Sequence, residues 1–475
     1  AEIKAYFDRM APELDRWSDR NRYYYRDLER LHQFLVPPAS RVLEVGCGTG
    51  NLLRSLAPSL GVGIDFSPAV VRLAQQKHPH LHFYCVDAET LEPSDLGDQS
   101  APFDYIVLSG VLGYLSDIQS VLQRLQPLCH AHTRLILTFH NYLWEPLLQL
   151  ADATGQRRPQ PVHSWLSMDD VVNLVSITGY VPLKRGRRLL LPKRIPGLSD
   201  LANRYLAPLP LIKHLALTNY VVARPQPGLG QRSPNPSCSV IIPARNEAGN
   251  IADAIARLPQ LGSHTEVIFV EGHSSDATWQ AIQNLLQTYR GAFSLKALQQ
   301  TGKGKADAVR LGFAQASGDV LMILDADLTV PPEDLPHFFE AIASGQGEFI
   351  NGSRLVYPRS RQAMPWLNTL ANKFFALLFS FLLEQRLKDT LCGTKVLWRS
   401  DYERIAAGRA YFGEFDPFGD FDLLFGAAKL NLHIVEVPIR YQPRSYGESN
   451  IAHVKEGFVL LRMCAYACRK LKFVR

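Results

Sequence analysis

Two α/β domains in tandem, each a largely parallel sheet wrapped by helices, is the fold this chain of 475 residues predicts. Three observations lead there. Apolar strand-like runs alternate with helical stretches in two separate series, and that alternation builds sheets covered by helices. Between the series lies Arg224-Pro-Gln-Pro-Gly-Leu-Gly-Gln-Arg-Ser-Pro-Asn-Pro-Ser237, with four prolines and two glycines. Such a stretch holds neither a helix nor an inner strand and reads as a partly extended linker. The length also exceeds what one ordinary core accommodates. The expected division is a first domain at 1–223, a connector at 224–237 and a second domain at 238–475.

The first series runs through Arg41–Val45, Gly61–Ile64, Leu81–Val86, Tyr105–Ser109 and Arg134–Phe139. Its opening strand leads into Val42-Leu-Glu-Val-Gly-Cys-Gly-Thr-Gly50. Glycines there let the backbone approach a ligand closely, and the N-terminus of a following helix offers free N–H donors. An acid about 20 residues further, at the end of the second strand, is placed for ribose hydroxyls. Asp65, closing Gly61-Val-Gly-Ile-Asp65, meets that requirement. The spacing Gly46-x-Gly48-x-Gly50 departs from the G-x-G-x-x-G of dinucleotide enzymes and shifts the expected ligand from NAD towards S-adenosylmethionine (SAM).

On these residues, most of 20 to 223 resembles the class I SAM-dependent methyltransferases. The resemblance implies a Rossmann-like fold with SAM as cofactor. It further implies that Gly46, Gly48 and Gly50 pack under the methionine part and that Glu44 orients its amino group. Asp65 would hold the ribose, Phe66 would lie against the adenine, and Asp87 with Ala88 would contact the adenine edge. Ser109 would lie near the transferred methyl. A base is required only if the acceptor is a hydroxyl. His140, which ends Leu135-Ile-Leu-Thr-Phe-His140, is the catalytic candidate, the alternative being a structural hydrogen-bonding histidine. Tyr23, Tyr24 and Tyr25 either close over the site or pack between helices. The methyl acceptor is not legible.

The second series recurs at Ser239–Ile242, Glu266–Val270, Val320–Leu324 and Phe349–Ser353, then gives way to long helical patterns around 362–385 and 451–472. Leu321-Met-Ile-Leu-Asp-Ala-Asp327 ends an apolar strand in Asp-x-Asp. Two carboxylates there suit Mg²⁺ or Mn²⁺, which bridges protein to a diphosphate and neutralises the leaving nucleotide. Asp-x-Asp alone is a weak signal. Here Ser239-Val-Ile-Ile-Pro-Ala-Arg-Asn-Glu247, Glu271-Gly-His-Ser-Ser-Asp-Ala-Thr278 and Gly302-Lys-Gly-Lys-Ala-Asp-Ala-Val-Arg310 precede it. Gly352-Ser-Arg354, Asp389-Thr-Leu-Cys-Gly-Thr-Lys395 and Arg444-Ser-Tyr-Gly-Glu-Ser-Asn-Ile451 follow.

That ordered set, over nearly all of 238 to 460, resembles family 2 glycosyltransferases of the GT-A fold, in particular the dolichyl-phosphate mannosyltransferase-like branch. The resemblance implies inverting sugar transfer from a GDP- or UDP-hexose to a lipid phosphate, such as a polyprenyl phosphate, or to a glycan; the alternative is transfer to a soluble acceptor, with the SAM fold as a binding or scaffolding module. Pro243, Arg245 and Glu247, with Glu271, would hold the nucleoside, and Lys303 would lie near the base or phosphates. Asp325 and Asp327 would hold the metal. Arg354 would face phosphate charge, as would Arg444, from a loop able to close over the donor. Asp327, Arg444 and Asp422 are the catalytic candidates. The sequence departs from the family in places. Glu271-Gly272 replaces a usual pair of acids. Thr329 stands where many relatives carry glutamine. Gly419-Asp-Phe-Asp-Leu-Leu424 lacks a following glutamate. A phosphate monoester is already ionised at neutral pH, so weak base machinery is compatible with a lipid-phosphate acceptor.

Composition bounds the setting. Hydrophobic content of 46% with 20% charged residues is that of a globular protein. The formal charge of +6 is modest and uneven. Lys184, Arg185, Arg187, Arg188, Lys193 and Arg194 cluster in one stretch, and basic residues crowd the end from Lys455 to Arg475. That end favours an anionic surface, with a solvated helix face as the alternative. No nucleic acid is expected as partner, and oligomeric state is not legible. The seven cysteines lack framework spacing and are expected to be reduced thiols in a cytoplasmic protein. The longest apolar run, Phe374 to Leu383, is too short to span a bilayer. The aromatic-rich stretch to which it belongs, 364–383, is either a helix at the bilayer surface or a core or dimer helix. The closing helix, with Phe458, Leu461 and Met463 among basic residues, favours peripheral contact at the inner face of the cytoplasmic membrane.

Overall fold

The computed structural model describes residues 2–161, 164–226, 235–357, 366–411, 420–444, 446 and 453–473, with backbone alone at 366–370, 420 and 453–458. The chain divides into two compact units, residues 1–230 with the last three residues and residues 231–472.

The first unit is built on seven strands: β1 (Arg41–Val45), β2 (Leu60–Asp65), β3 (His82–Cys85), β4 (Phe103–Ser109), β5 (Cys129–His140), β6 (Tyr180–Arg188) and β7 (Thr218–Pro225). They lie in the order β3-β2-β1-β4-β5-β7-β6. The first five are parallel, and β7 runs antiparallel between β5 and β6. Aliphatic runs such as Val42–Val45 and Tyr105–Leu108 are buried on both faces, as strands covered by helices require. The order reverses between β2-β1 and β1-β4, and at such a point the loops beyond the strand ends splay apart and leave a ligand crevice.

β6 and β7 carry no clear signal in the sequence. β6 contains a proline and a basic run, tolerated because it is an edge strand with a register shift between Pro182 and Lys184. Gly186 is required there, since a Cβ would fall 2.2 Å from the Tyr220 ring of β7. β7 also takes in Arg224 and Pro225, both expected in the connector. Pro225 pairs with Tyr180 at the end of the ladder, where a missing N–H is tolerated. Residues 227–234 of the connector lie outside the described residues. The basic stretch at 184–194 forms no single face. Lys184 is buried, Arg188 makes a two-pronged pair with Asp27 at 2.8 and 2.6 Å, and Arg185 approaches Asp169 at 3.7 Å.

The second unit holds β8 (Cys238–Ala244), β9 (Thr265–Glu271), β10 (Ser294–Gln299), β11 (Val320–Ile323), β12 (Phe349–Ser353), β13 (Lys395–Trp398) and β14 (Ile434–Pro438). Their order is β10-β9-β8-β11-β13-β12-β14. β10, β9, β8 and β11 are parallel, β13 is antiparallel to both neighbours, and β12 is parallel to β14. Alternate residues of β8 face opposite cores. Ile241 joins Phe379 and Phe425, while Val240 and Ile242 join Leu335 and Phe338. Again the order reverses beside the first strand, between β8 and β11.

The helix Trp366–Leu383 is a wall of this core. Phe375, Phe379, Leu382 and Leu383 are buried, and Phe379 stacks on Phe425 with centroids 5.3 Å apart. Its other face leaves Phe374 and Leu377 exposed. The closing helix His453–Ala467 packs into the same core through Leu460, Met463, Cys464 and Ala467. Met463, expected beside a membrane, is therefore a core residue, and only Leu461 of that apolar set is seen exposed. The Phe458 side chain lies outside the described residues. Lys470 sits over the Tyr411 ring and Lys472 pairs with Glu384, which among the described side chains of this end leaves Arg462 and Arg469 as exposed cations. No described helix is long and apolar enough to cross a membrane.

The helix faces predict opposite responses. Phe379→Ala should cost the second unit about 3–5 kcal/mol, since it empties a buried aromatic site. Leu377→Ser, on the exposed face, should change stability by roughly 0.5 kcal/mol or less. Urea unfolding followed by near-ultraviolet circular dichroism reads both, and equal costs would contradict the packing.

Candidate active sites

The first site forms where β1, β2, β4 and β5 end. Gly46, Gly48 and Gly50 all take positive φ, +70°, +52° and +76°, which glycine adopts without penalty. The turn is pinned to the next strand, because Gly46 N–H and Cys47 N–H both donate to Ile64 O at 2.8 and 3.0 Å. Asp65 then receives Gly48 N–H at 3.1 Å and Ser67 N–H at 3.0 Å, one on each carboxylate oxygen. Glu44 is buried and accepts Leu53 N–H at 3.1 Å from the helix after the glycines. Burial, opposed by that hydrogen bond and reinforced by Asp65, pushes the Glu44 carboxyl up to about 8. Burial also raises Asp65 above the ordinary carboxylate range.

Above this cradle lies a cavity of about 760 Å³. Glu44, Gly46, Gly48, Asp65, Phe66 and Ser109 line it, as does His140 on the far wall. Gly50 lies beneath, against Phe83 and His78. Asp87 and Ala88 do not line it. The Asp87 carboxylate caps Glu89 N–H at 3.0 Å in an exposed turn, and Ala88 is core. A Cβ on Gly48 would enter open space, and a buried carboxyl faces the same space. A cofactor with a cationic amino end and ribose hydroxyls fits these groups.

Residues the motif does not name brace the site from outside it. Asp15 joins the glycine turn to the N-terminal helices, accepting from Thr49 Oγ1 at 2.9 Å and Asn51 Nδ2 at 3.1 Å. Asp8 receives Ser67 Oγ, and Phe7 meets Phe66 edge to face at 5.7 Å. These acids have no periodicity or motif to mark them, only a place in helices that precede the cofactor strand. Tyr24 lines the cavity and hydrogen-bonds His140 Nε2 at 3.1 Å, and burial raises its phenol well above the ordinary value. Tyr23 instead packs with Leu148 and Leu189, so neighbouring members of the tyrosine run face the cavity and the core.

The second site lies beyond the end of β11. Lys305 Nζ sits 2.6 Å from Asp325 Oδ1. Arg444 bridges two acids, with Nη1 3.1 Å from Glu247 and Nη2 2.8 Å from Asp327 Oδ2. Thr329 fixes the remaining oxygen, donating through N–H at 3.1 Å and Oγ1 at 2.9 Å to Asp327 Oδ1. This is what the departure from glutamine does here. Burial opposes the charge on Asp325, but Lys305, with Lys395 and Arg354 beyond it, holds the carboxyl below its ordinary value. Burial raises Glu247 to about 6 against the pull of Arg444.

The other expected residues divide. Pro243 and Arg245 close β8, where Pro243 is half-buried and Arg245 exposed. Glu271 is buried and shapes the next loop by accepting Ser274 N–H. Lys303 is solvent-exposed, whereas Lys305 reaches the carboxylates. The alternating Gly-Lys-Gly-Lys gives no sequence signal to choose between them. Only the direction of the helix that starts at Lys305 decides. Arg354 forms a buried two-pronged pair with Asp389 at 2.7 and 2.8 Å. Asp422 receives Arg409 at 2.7 Å and Arg310 at 3.3 Å on one oxygen. Residues 419, 445 and 447–451 of the two surrounding motifs lie outside the described residues.

Among the described residues no cluster of three or more His, Cys, Asp or Glu is placed to hold a metal ion. Asp325 and Asp327 alone suit a hard cation that takes its other oxygens from a diphosphate and water, as Mg²⁺ commonly does. The residues therefore fit Mg²⁺ or Mn²⁺ together with a nucleotide.

Crevice, cradle and carboxylate pair lie in two separate α/β units. The family profile described as Methyltransferase domain matches residues 43–135, and that of Glycosyl transferase family 2 matches 239–405. The chain thus carries an N-terminal Rossmann-like methyltransferase domain and a C-terminal family 2 glycosyltransferase domain of the GT-A fold. It is 32% identical over 220 residues to a dolichol-phosphate mannosyltransferase of Pyrococcus furiosus, covering 45% of this chain and 58% of that one. It is 24% identical over 221 residues to an undecaprenyl-phosphate 4-deoxy-4-formamido-L-arabinose transferase of Edwardsiella ictaluri, covering 46% and 63%. Alignments thus span little more than half the length of these relatives. The crystal structure of a SAM-dependent methyltransferase from Thermotoga maritima, a possible histamine N-methyltransferase, aligns at 16% identity with a TM-score of 0.35, over 47% of this chain and 99% of that one.

The raised Glu44 carboxyl predicts a pH dependence for cofactor binding. Below about 8 burial keeps Glu44 protonated. Pairing with a cationic amino group demands the carboxylate, so binding releases a proton. SAM affinity should therefore climb with pH, by at most about tenfold per unit, and level off once Glu44 ionises unaided. Glu44→Gln should weaken binding and flatten the profile. Titration calorimetry in buffers of different ionisation enthalpy reads the proton directly, and proton-neutral binding at neutral pH would contradict the assignment.

Proposed function

We propose that the chain is a bifunctional enzyme. One domain transfers a methyl group from SAM, and the other transfers a hexose from a GDP- or UDP-sugar to a lipid phosphate with inversion. The observation that carries the sugar-transfer reading is the pair Asp325 and Asp327, each paired with a side-chain cation, Lys305 or Arg444. Such a site exchanges its internal counter-charges for a metal and a diphosphate. The names of the relatives, which pair sugar transfer with dolichol phosphate or undecaprenyl phosphate, support the acceptor class.

In this reading Pro243, Arg245, Glu247 and Glu271 bind the nucleoside, and Lys303 extends that surface. Asp325 and Asp327 would hold a divalent cation, which would supply positive charge to the departing diphosphate. Lys305 and Arg444, released from the carboxylates, turn to phosphate oxygens. The acceptor phosphate is already ionised, so no side chain has to remove a proton. Arg354 and Asp422 are positioning residues: the first ties β12 to Asp389, the second joins Arg310 to Arg409.

In the methyltransferase domain the cradle of Glu44, Gly46, Gly48, Gly50 and Asp65 binds and orients the cofactor, with Phe66 against its adenine. SAM brings an electrophilic methyl group, so alignment of the acceptor supplies much of the rate. Ser109 lies at the reacting end of the cavity. His140 takes a proton from a hydroxyl acceptor once Tyr24 gives up its Nε2. The enzyme works in the cytoplasm at the inner membrane face, with the residues between Pro225 and Cys238 as the connector between catalysts.

Separate loss of the two activities tests the division. Asp327→Asn should abolish sugar transfer, followed as nucleotide release with a polyprenyl phosphate, while methyl transfer persists. EDTA should reproduce that pattern, and full sugar transfer in EDTA would exclude the metal. Asp65→Ala should weaken SAM binding by about 2–4 kcal/mol, since it removes ribose contacts and unpins the glycine turn, and should leave sugar transfer intact. Unchanged SAM affinity in that variant, or release of nucleotide only with a soluble acceptor, would overturn the corresponding half of the reading.

A further inference from the structure

The methyltransferase unit exposes an unusual amount of leucine. Leu211 is 87% exposed, Leu150 61% and Leu215 60%, with Leu147, Leu198 and Leu201 each more than half exposed. These side chains stand on a fixed base. Asn141 Nδ2 donates to His214 O and Ala216 O, both at 2.9 Å, and Trp144 Nε1 donates to Leu215 O at 2.8 Å. The turn at 212–217 is thereby tied to the helix Glu145–Ala153, which carries Leu147 and Leu150. Asn203 accepts Leu190 N–H and Leu191 N–H at 2.7 and 2.9 Å, which anchors the segment bearing Leu198 and Leu201. Over 141–150 and 193–215 the sequence holds the four cations Lys193, Arg194, Arg204 and Lys213 against the two acids Glu145 and Asp200.

We propose that this face, 141–150 with 193–215, docks on an anionic phospholipid bilayer, so that the methyltransferase cavity draws an amphipathic, lipid-linked acceptor from the membrane plane. Leucines that insert among acyl chains, ringed by cations that meet lipid phosphates, are the chemistry of interfacial binding. The excess of cations selects an anionic surface over a neutral one. The cavity supplies the link to function, because Leu147, Leu150 and Lys193 belong both to its lining and to the exposed face. An acceptor with an apolar tail can enter there while its tail stays in lipid. The proposal rests on the methyl-transfer reading of the cavity and is independent of the helix at 366–383 and of the lipid-phosphate reading of the other domain.

Hydrogen exchange of the full chain, with and without vesicles of phosphatidylcholine and phosphatidylglycerol in equal parts, tests it segment by segment. Amides of 141–150 and 195–215 should gain protection with these vesicles and not with phosphatidylcholine alone. Leu211→Glu with Leu215→Glu should remove that protection and lower vesicle partition by at least about tenfold. Lys193→Ser with Arg194→Ser should lower it mainly at low salt, and serves if the first variant does not fold. Protection confined to 366–383 or 453–473 would overturn this proposal while leaving the sugar-transfer reading. Protection of 141–150 and 195–215 alone would support it and count against a membrane role for the other domain. Protection of the same face without vesicles, rising with protein concentration alongside a dimer in sedimentation, would overturn it in favour of a protein interface.

Discussion

Carboxylates gathered where parallel strands end must be compensated while no ligand is bound, and the two domains do this in different ways. In the methyltransferase domain compensation is by protonation and backbone. Glu44 is pushed to about 8 by burial, and Asp65 is held by two N–H groups. In the glycosyltransferase domain it is by side-chain cations, Lys305 on Asp325 and Arg444 on Asp327 and Glu247. The rest of each site follows from that choice. A protonated acid accepts a cationic ligand by releasing a proton. In the proposed sugar transfer, a salt-bridged acid accepts one by giving up its partner to the incoming phosphates.

The same constraint explains why the loops are so strongly cross-linked. The glycine turn hangs on Ile64 and Asp65, and the N-terminal helices reach it through Asp8 and Asp15. In the second domain Asn246 and Ser274–Ser275 exchange hydrogen bonds between the loops after β8 and β9. Loops fixed in this way hold buried charge at set distances without a bound ligand, which lowers the reorganisation cost when one arrives.

Behind the second site, core packing takes the residues whose composition points to lipid. Phe375, Phe379 and Met463 are buried together, and the cations Lys470 and Lys472 are held against Tyr411 and Glu384. An aromatic-rich amphipathic helix looks the same in sequence whether its apolar face meets a protein core or a bilayer. Conversely, the exposed leucines of 195–215 attract no attention in sequence, because they are interrupted by Pro196, Gly197, Pro208 and Pro210 and show no helical period.

The sequence by itself determined the two domains, the strands that carry the motifs, and the groups that mark each site: Glu44, the three glycines and Asp65 in one, Asp325 and Asp327 in the other. These are legible because glycine turns and strand-end acids are local features with fixed spacing. It did not determine β6 and β7, whose residues become strands only when a neighbouring ladder supplies their partners. Nor did it separate Lys303 from Lys305, place Arg354 on Asp389 and Asp422 between two arginines, or set Asp87 outside the cavity. Those outcomes depend on which side chains meet across long sequence separations, such as the 117 residues between Asp327 and Arg444. Only the tertiary structure decides that, because a charge buried at a strand end takes whichever partner packing brings within reach.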